Sequence, residues 1–131
     1  MWFAKRKAPP IRSLVGEGTV LHGDLEFADG VRIDGEVHGN VIASTAASLV
    51  VISEKARVYG EVKAAHVIIN GEVKGPVKST ELLEVQPKAR IVGDVRYELL
   101  ELHQGGLIDG ELRPLKAIDK PALVLAASND A

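Results

Sequence analysis

A glycine with a branched aliphatic residue two positions away on either side recurs along most of this chain. The unit aliphatic-x-Gly-x-aliphatic accounts for eight of the 13 glycines. Its copies are LHGDL, IDGEV, VHGNV, VYGEV, INGEV, VKGPV, IVGDV and IDGEL, between residues 21 and 112. One glycine per unit (Gly23, Gly39, Gly60, Gly75, Gly93 and Gly110) gives steps of 16, 21, 15, 18 and 17 residues. A period of this length is typical of a repeat fold, in which one small unit is stacked many times.

Between these glycines, aliphatic residues alternate with a period of two, as in Val31/Ile33 and Val67/Ile69. This alternation predicts short strands with one buried face. A rung of 17–18 residues cannot bury its apolar face alone, but rungs stacked about 4.8 Å apart pair their backbones and align their aliphatic side chains. The sequence therefore predicts an all-β fold, a β-solenoid of about six rungs. The predicted inward columns contain Val37, Val41, Val58, Val62, Val73, Val77, Ile91 and Val95.

A β-sandwich or barrel of short strands is the alternative fold. Such sheets usually need Asn-Gly or Asp-Gly hairpin turns. Here Asp29-Gly30 and Asp34-Gly35 lie too close together for two hairpins, and Asn70-Gly71 lies inside a copy of the repeat. The repeat thus favours the solenoid.

Composition excludes several functional classes. The chain of 131 residues has no cysteine, which excludes a disulfide framework, cysteine-based metal sites and thiol nucleophiles. A formal net charge of −2 gives no global basic field for nucleic acid. No apolar run approaches the roughly 20 residues of a membrane span. The N-terminus has its apolar residues before its charges, the reverse of a signal peptide, so we expect a cytoplasmic protein.

The sequence resembles the bactofilins, a family of bacterial polymer-forming cytoskeletal proteins. The resemblance covers residues 14–115 and is carried by the opening GTVLHGDLEFADGVRIDGEVHGNV and by the GEV/GDV series that begins at Gly35, Gly60, Gly71 and Gly93. It implies a right-handed, single-stranded, three-faced β-helix that polymerises end to end, without nucleotide, into nonpolar filaments. It also implies filaments on the inner face of the cytoplasmic membrane that scaffold cell-wall enzymes or other membrane proteins. The domain order expected is a flexible tail at 1–13, the β-helix at 14–115 and a second flexible tail at 116–131.

The first seven residues combine aromatic and basic side chains. Met1, Trp2 and Phe3 are followed, after Ala4, by Lys5, Arg6 and Lys7. Aromatic residues favour the lipid headgroup boundary, and each cation contributes roughly 1 kcal/mol near an anionic leaflet. One copy would bind weakly, but a filament presents many copies. We therefore predict a membrane-targeting segment at residues 1–7.

The two ends of a solenoid carry open strand edges, which natural proteins either cap or use. Neither end here has an obvious polar cap. The predicted polymer interface consists of Leu21, Leu25 and Phe27 in the first rung and of Leu107, Ile108, Leu112 and Leu115 in the last. Similar proteins tend to have a Phe in the last rung, whereas both phenylalanines of this chain, Phe3 and Phe27, lie towards the N-terminus and the last rung offers the four aliphatic residues instead.

Catalytic, metal and cofactor sites are not expected. No two of the four histidines lie within five residues of each other, and His22 and His38, 16 residues apart, fit a surface ladder on adjacent rungs better than a metal site. Neither GxxxxGK[ST] nor a GxGxxG leading into a helix occurs, which argues against nucleotide binding. The alternative to a structural polymer is a β-solenoid enzyme, either a hexapeptide-type acyltransferase or a carbohydrate-active protein. The irregular spacing, the five aromatic residues and the absence of long loops argue against it.

Overall fold

The computed structural model describes residues 8–116, and every regular element within them is a strand. In chain order the strands are β1 (Ile11–Val15), β2 (Val20–His22), β3 (Leu25–Phe27), β4 (Gly30–Ile33), β5 (Glu36–His38), β6 (Val41–Ala43), β7 (Leu49–Ile52), β8 (Arg57–Tyr59), β9 (Val62–Ile69), β10 (Glu72–Lys74), β11 (Val77–Val85), β12 (Arg90–Val92), β13 (Val95–Tyr97), β14 (Leu99–Leu102), β15 (Leu107–Asp109) and β16 (Leu112–Pro114). Strands of neighbouring rungs pair in parallel.

Three strand segments make one rung, and six rungs stack along the axis. The first face contains β1, β4, β7, the second half of β9, the second half of β11 and β14. The second face contains β2, β5, β8, β10, β12 and β15. The third face contains β3, β6, the first half of β9, the first half of β11, β13 and β16. The predicted all-β solenoid of about six rungs is therefore confirmed.

The interior consists of aliphatic columns, because each rung repeats the register of the rung before it. The second-face column is Val37, Val58, Val73 and Ile91, and the third-face column is Val41, Val62, Val77 and Val95. All eight side chains are at most 1% exposed. Burying one such side chain stabilises the fold by roughly 1.5–3 kcal/mol. These are the residues that the repeat predicted to face inward.

The repeat glycines form a ladder at the corner between the second and third faces. A Cβ added at Gly93 would lie 2.5 Å from the carbonyl oxygen of Gly75 in the rung before, and Gly93 has a φ of +147°. The corresponding clash recurs at Gly39, Gly60 and Gly110, each against the glycine of the preceding rung. Only glycine allows the backbones to approach this closely. Each rung therefore needs a glycine at this corner, and the spacing between successive glycines equals the number of residues in the rung.

Side chains at the same corner bond to the backbone of the next rung. A carboxylate oxygen of Asp24 accepts a bond of 2.9 Å from the Asn40 N–H, and the Asn40 side-chain oxygen accepts one of 2.9 Å from the Glu61 N–H. Asp94 accepts from the Glu111 N–H in the same way, at 3.1 Å. These bonds satisfy backbone donors where the strands turn and the regular ladder is interrupted.

The β-helix begins earlier than the predicted start at residue 14. Strand β1 starts at Ile11, which pairs with Gly30, and the carbonyl of Pro10 lies against the same glycine. Residues 11–13 were expected in the flexible tail because they carry no copy of the glycine motif. The missing side chain of Gly30 makes room for the incoming chain, and the first face is thereby extended by a strand.

We expect Val77→Asp to destabilise the protein strongly. Val77 is 1% exposed inside the third-face column, so the substitution buries a carboxylate without a partner. The expected cost is roughly 4 kcal/mol or more in free energy of unfolding, measured by urea denaturation. Val92→Asp is the matched control, because Val92 points outward and is 45% exposed. A folded Val77→Asp protein with the urea midpoint of the control would contradict this register.

Candidate polymer contact surfaces

The first and last rungs leave one edge of every strand unpaired. On the second face the strand order runs from β15 to β2, so these two strands are its edges. Strands β1 and β3 pair only with β4 and β6, and β14 and β16 pair only with β11 and β13. Within residues 8–116, each end of the rod therefore presents three strand edges with free backbone donors and acceptors.

Exposed apolar side chains are concentrated at the same two ends. Seven of the eight large hydrophobic residues that are exposed lie in a terminal rung, and the exception is Val92. They are Ile11, Leu14 and Val20 in the first rung and Leu99, Leu102, Leu107 and Leu112 in the last. Leu102 and Leu112 end inward columns of the last rung. The residues at outward positions of the terminal rungs are Leu14, Val20, Leu99 and Leu107. Between the terminal rungs the described side walls expose one large hydrophobic residue, Val92, so the exposed apolar surface surrounds the two ends.

The residues predicted for the interface fall into three groups. Leu107 and Leu112 are exposed, and Leu21, Leu25, Ile108 and Leu115 are half-buried at the ends of the interior. Phe27 differs from the expectation, because it is 5% exposed and belongs to the core cluster. It pairs in register with the small Ala43, so its ring packs against the core instead of lying open at the end.

Five exposed end residues were not predicted: Ile11, Leu14, Val20, Leu99 and Leu102. The first two lie in a strand that the glycine motif does not reach. Leu102 ends an inward column of the first face, above Val85. The alternation of Leu100 and Leu102 was the one signal in the sequence that could have indicated this position.

Charged groups at the two ends pair locally within each rod end. In the first rung Arg12 Nε lies 2.9 Å from an Asp29 carboxylate oxygen. In the last rung the Arg113 Nε donates to Glu111 at 2.8 Å, and this bond raises the pKa of Arg113 above its ordinary value. These pairs are solvent-exposed and contribute little to stability. Because the paired charges offset each other, the exposed apolar side chains are what distinguishes each end.

Three ring side chains stack on the outside of the second face. The ring centroids of His22 and His38 lie 5.0 Å apart, and those of His38 and Tyr59 lie 4.8 Å apart. The ammonium of Lys74 lies 5.8 Å from the Tyr59 centroid. The predicted surface ladder of His22 and His38 is confirmed, and the parallel register explains it because equivalent positions stack directly.

The described residues include one group of three side chains that could hold a metal ion: Glu84, Glu101 and His103. The His103 Nε2 lies 3.5 Å from a carboxylate oxygen of each glutamate. Glu84 also accepts a bond of 2.9 Å from the Gln86 amide. Sequence spacing did not reveal this group, because Glu84 and Glu101 are brought together only by the pairing of β11 with β14. The contacts are those of a partly exposed ion-pair cluster.

A shallow groove of about 670 Å³ follows the corner between the first and second faces. At this corner the turns alternate in length. The four-residue turns 16–19, 53–56 and 86–89 are separated by the two-residue turns Asp34-Gly35 and Asn70-Gly71. Exposed ion pairs cross the groove, Lys55 to Glu17 at 3.3 Å and Lys88 to Glu54 at 3.0 Å. In its floor the Ser53 hydroxyl donates to Asp34 and, with Arg32, lowers the pKa of that carboxyl. Acidic and basic groups of the groove thus neutralise each other.

The predicted membrane-targeting residues Met1, Trp2, Phe3, Lys5, Arg6 and Lys7 lie outside the described residues. Between residues 8 and 116 there is no helix that is long and apolar enough to cross a membrane. The described chain starts at Ala8 and joins the β-helix at the corner between the third and first faces, where Pro10 lies against Gly30.

Comparisons with known proteins agree with this geometry. The family model Bactofilin, described as polymer-forming cytoskeletal, matches residues 13–113. Bactofilin BacP of Myxococcus xanthus strain DK1622 is 25% identical over 118 residues, which cover 86% of this chain and 48% of BacP. Bactofilin BacO of the same strain is 24% identical over 110 residues, which cover 84% of this chain and 85% of BacO. The chain thus spans about half the length of BacP. No solved structure matches it.

The family match includes both terminal rungs, where the open strand edges and the exposed aliphatic residues lie together. A polymer-forming family implies self-association, and these ends are the surfaces that a second copy could cover. The six-rung β-helix, its repeat glycines and the family match lead to one conclusion: this chain belongs to the bactofilins, a family of polymer-forming cytoskeletal proteins.

Proposed function

We propose that this protein is a structural subunit that polymerises end to end, through its first and last rungs, into filaments on the inner face of the cytoplasmic membrane. The observation that carries the proposal is that seven of the eight exposed large hydrophobic residues lie in the two terminal rungs. A contact there would bury the ends of the inward columns, such as Leu102 and Leu112, and pair the open strand edges at the same time.

The proposed filament has no polarity. Like ends meet through a two-fold axis, which makes each contact self-complementary. The family resemblance supports this arrangement, and head-to-tail stacking is the physical alternative. Growth needs no nucleotide, because the driving force is burial of preformed apolar ends. A structural rather than catalytic role agrees with the mixed charges of the groove, where ion pairs join acidic and basic side chains.

We further propose that the filament scaffolds cell-wall enzymes or other membrane proteins and thereby serves cell shape. Two features support a location at the cytoplasmic membrane: the aromatic and basic residues at positions 2–7 and the resemblance to membrane-associated members of the family. Repetition of one weak anchor along a filament would give avidity that a single subunit lacks.

Two substitutions test the end contacts. Leu25 and Leu112 are the two ends of the same inward column on the third face. Leu25→Asp or Leu112→Asp alone should stop growth at dimers joined through the untouched end, and the double variant should give monomers. Analytical ultracentrifugation and negative-stain electron microscopy without nucleotide measure the outcome.

The control is Val92→Asp, because Val92 is as exposed as Leu112 (45% and 44%) but lies on a side wall. It should form filaments like the unaltered protein. If Leu25→Asp lowers the melting temperature by more than a few degrees, Ser13→Asp replaces it, because Ser13 is already exposed and pairs with the buried Val31 at the first-rung end of an inward column. Monomers from either single variant would indicate head-to-tail growth, and long filaments from the double variant would exclude end-to-end contact.

A second experiment tests the membrane-targeting segment. Trp2→Ser with Phe3→Ser should release filaments from vesicles that contain anionic lipid, while electron microscopy shows the same filaments. The loss follows from removing the two side chains that favour the headgroup boundary. Leu123→Ser with Leu125→Ser removes two apolar side chains from the other end of the chain and is the control. Equal co-sedimentation of the two double variants would disprove the role of residues 1–7.

A further inference from the structure

The outward column of the third face becomes continuously basic over the last four rungs. It begins with Glu26 and Ile42 in the first two rungs. The next four positions, each paired in register with the one before, are Lys63, Lys78, Arg96 and Arg113. At about 4.8 Å per rung, the four cations follow a line of roughly 14 Å along the rod. We call these four residues the basic column.

Like charges on directly paired positions repel each other. The second face avoids this, because its outward column alternates in sign through Glu36, Arg57, Glu72 and Arg90. In the basic column only Arg113 has an ion-pair partner among residues 8–116, namely Glu111. The register thus aligns four cations in one outward column of a protein whose formal net charge is −2.

Five acidic side chains lie beside the basic column, and one of them, Glu81, is exposed at the corner after Lys78 without an ion pair to the column. Asp94 accepts a bond from the Glu111 N–H, and Glu98 pairs with Lys116 at 3.3 Å. Glu61, at the corner before Lys63, is half-buried, and no ion pair joins the two. The cations of Lys63, Lys78 and Arg96 are therefore available to an external anion.

We propose that the basic column is a second membrane-contact surface, which lays the third face of the rod against anionic lipid headgroups. The column runs through four successive rungs on one outer face of the rod, so its four cations can meet a flat bilayer together. Each cation near such a surface strengthens binding by roughly fivefold. This inference rests on the proposed membrane association and assigns the face of the β-helix that takes part in it.

The position of the chain start favours lipid over another polyanion. The described chain enters the β-helix at the corner where the third face meets the first, because Pro10 lies against Gly30, three residues after β3 ends at Phe27. Residues 1–7 are tethered to that corner, so the aromatic pair Trp2-Phe3 and the basic column can reach the same bilayer. A soluble polyanion without rings or alkyl chains, such as polyphosphate, would gain nothing from the aromatic pair.

The test compares two triple variants of the full chain. Lys63→Gln, Lys78→Gln and Arg96→Gln remove three charges from the basic column, and Lys55→Gln, Lys88→Gln and Arg90→Gln remove three from elsewhere on the rod. Both have the same net charge. Filaments are sedimented with vesicles of phosphatidylglycerol and phosphatidylcholine over a series of NaCl concentrations, and electron microscopy confirms that each variant polymerises.

The basic-column variant should bind at least tenfold more weakly in apparent partition coefficient, and NaCl should release it at a concentration about half that of the control variant. If the unaltered filaments fail to sediment with vesicles, the proposed membrane association itself is wrong. If they sediment and the two triple variants bind equally, membrane association stands and the role of the basic column is wrong. Stronger retention of the unaltered protein by soluble polyphosphate than by vesicles would also overturn lipid as the partner.

Discussion

The parallel backbone pairing of each rung with the next is the interaction on which the rest of this structure depends. This pairing forms only if each rung turns three corners and stays in register with the rung before it. The backbones approach most closely at the corner that carries the glycine ladder. There the carbonyl of one glycine occupies the space that a Cβ of the next would need, as at Gly75 and Gly93. The glycines therefore set where each rung closes, and the aliphatic columns follow from them.

The same pairing makes open ends unavoidable. A stack of parallel rungs satisfies its inner strands from both sides, whereas its first and last rungs are satisfied from one side only. Among residues 8–116 the last rung has no polar cap, because Leu102 and Leu112 end two interior columns and are exposed. A capped solenoid would place polar residues at these positions. The proposed end-to-end polymerisation would complete, between molecules, the pairing that builds the molecule.

Most of the fold could be predicted from the sequence, because the spacing of the glycines equals the period of the solenoid. The end surfaces were predicted less well. Phe27 is a large aromatic residue in a terminal rung and was therefore predicted as a contact residue. It is buried instead, because its neighbour in the next rung is the small Ala43. Ile11 and Leu14 were missed because β1 pairs through Gly30 without a copy of the motif. The cluster of Glu84, Glu101 and His103 and the basic column depend on register across rungs. The register offset varies from 15 to 21 residues along the second and third faces.

Each rung contributes one residue to every column, so the outward columns can differ in chemistry while the inward ones keep the fold. The second face shows this in two neighbouring columns: one alternates acidic and basic residues, and the other stacks His22, His38 and Tyr59. The third face carries cations in four successive rungs above an interior of valines. Since outward side chains contribute little to the buried core, their charges can change without loss of the β-helix. A rod built this way would keep the proposed assembly contact, at its ends, apart from the proposed membrane contact, on one wall.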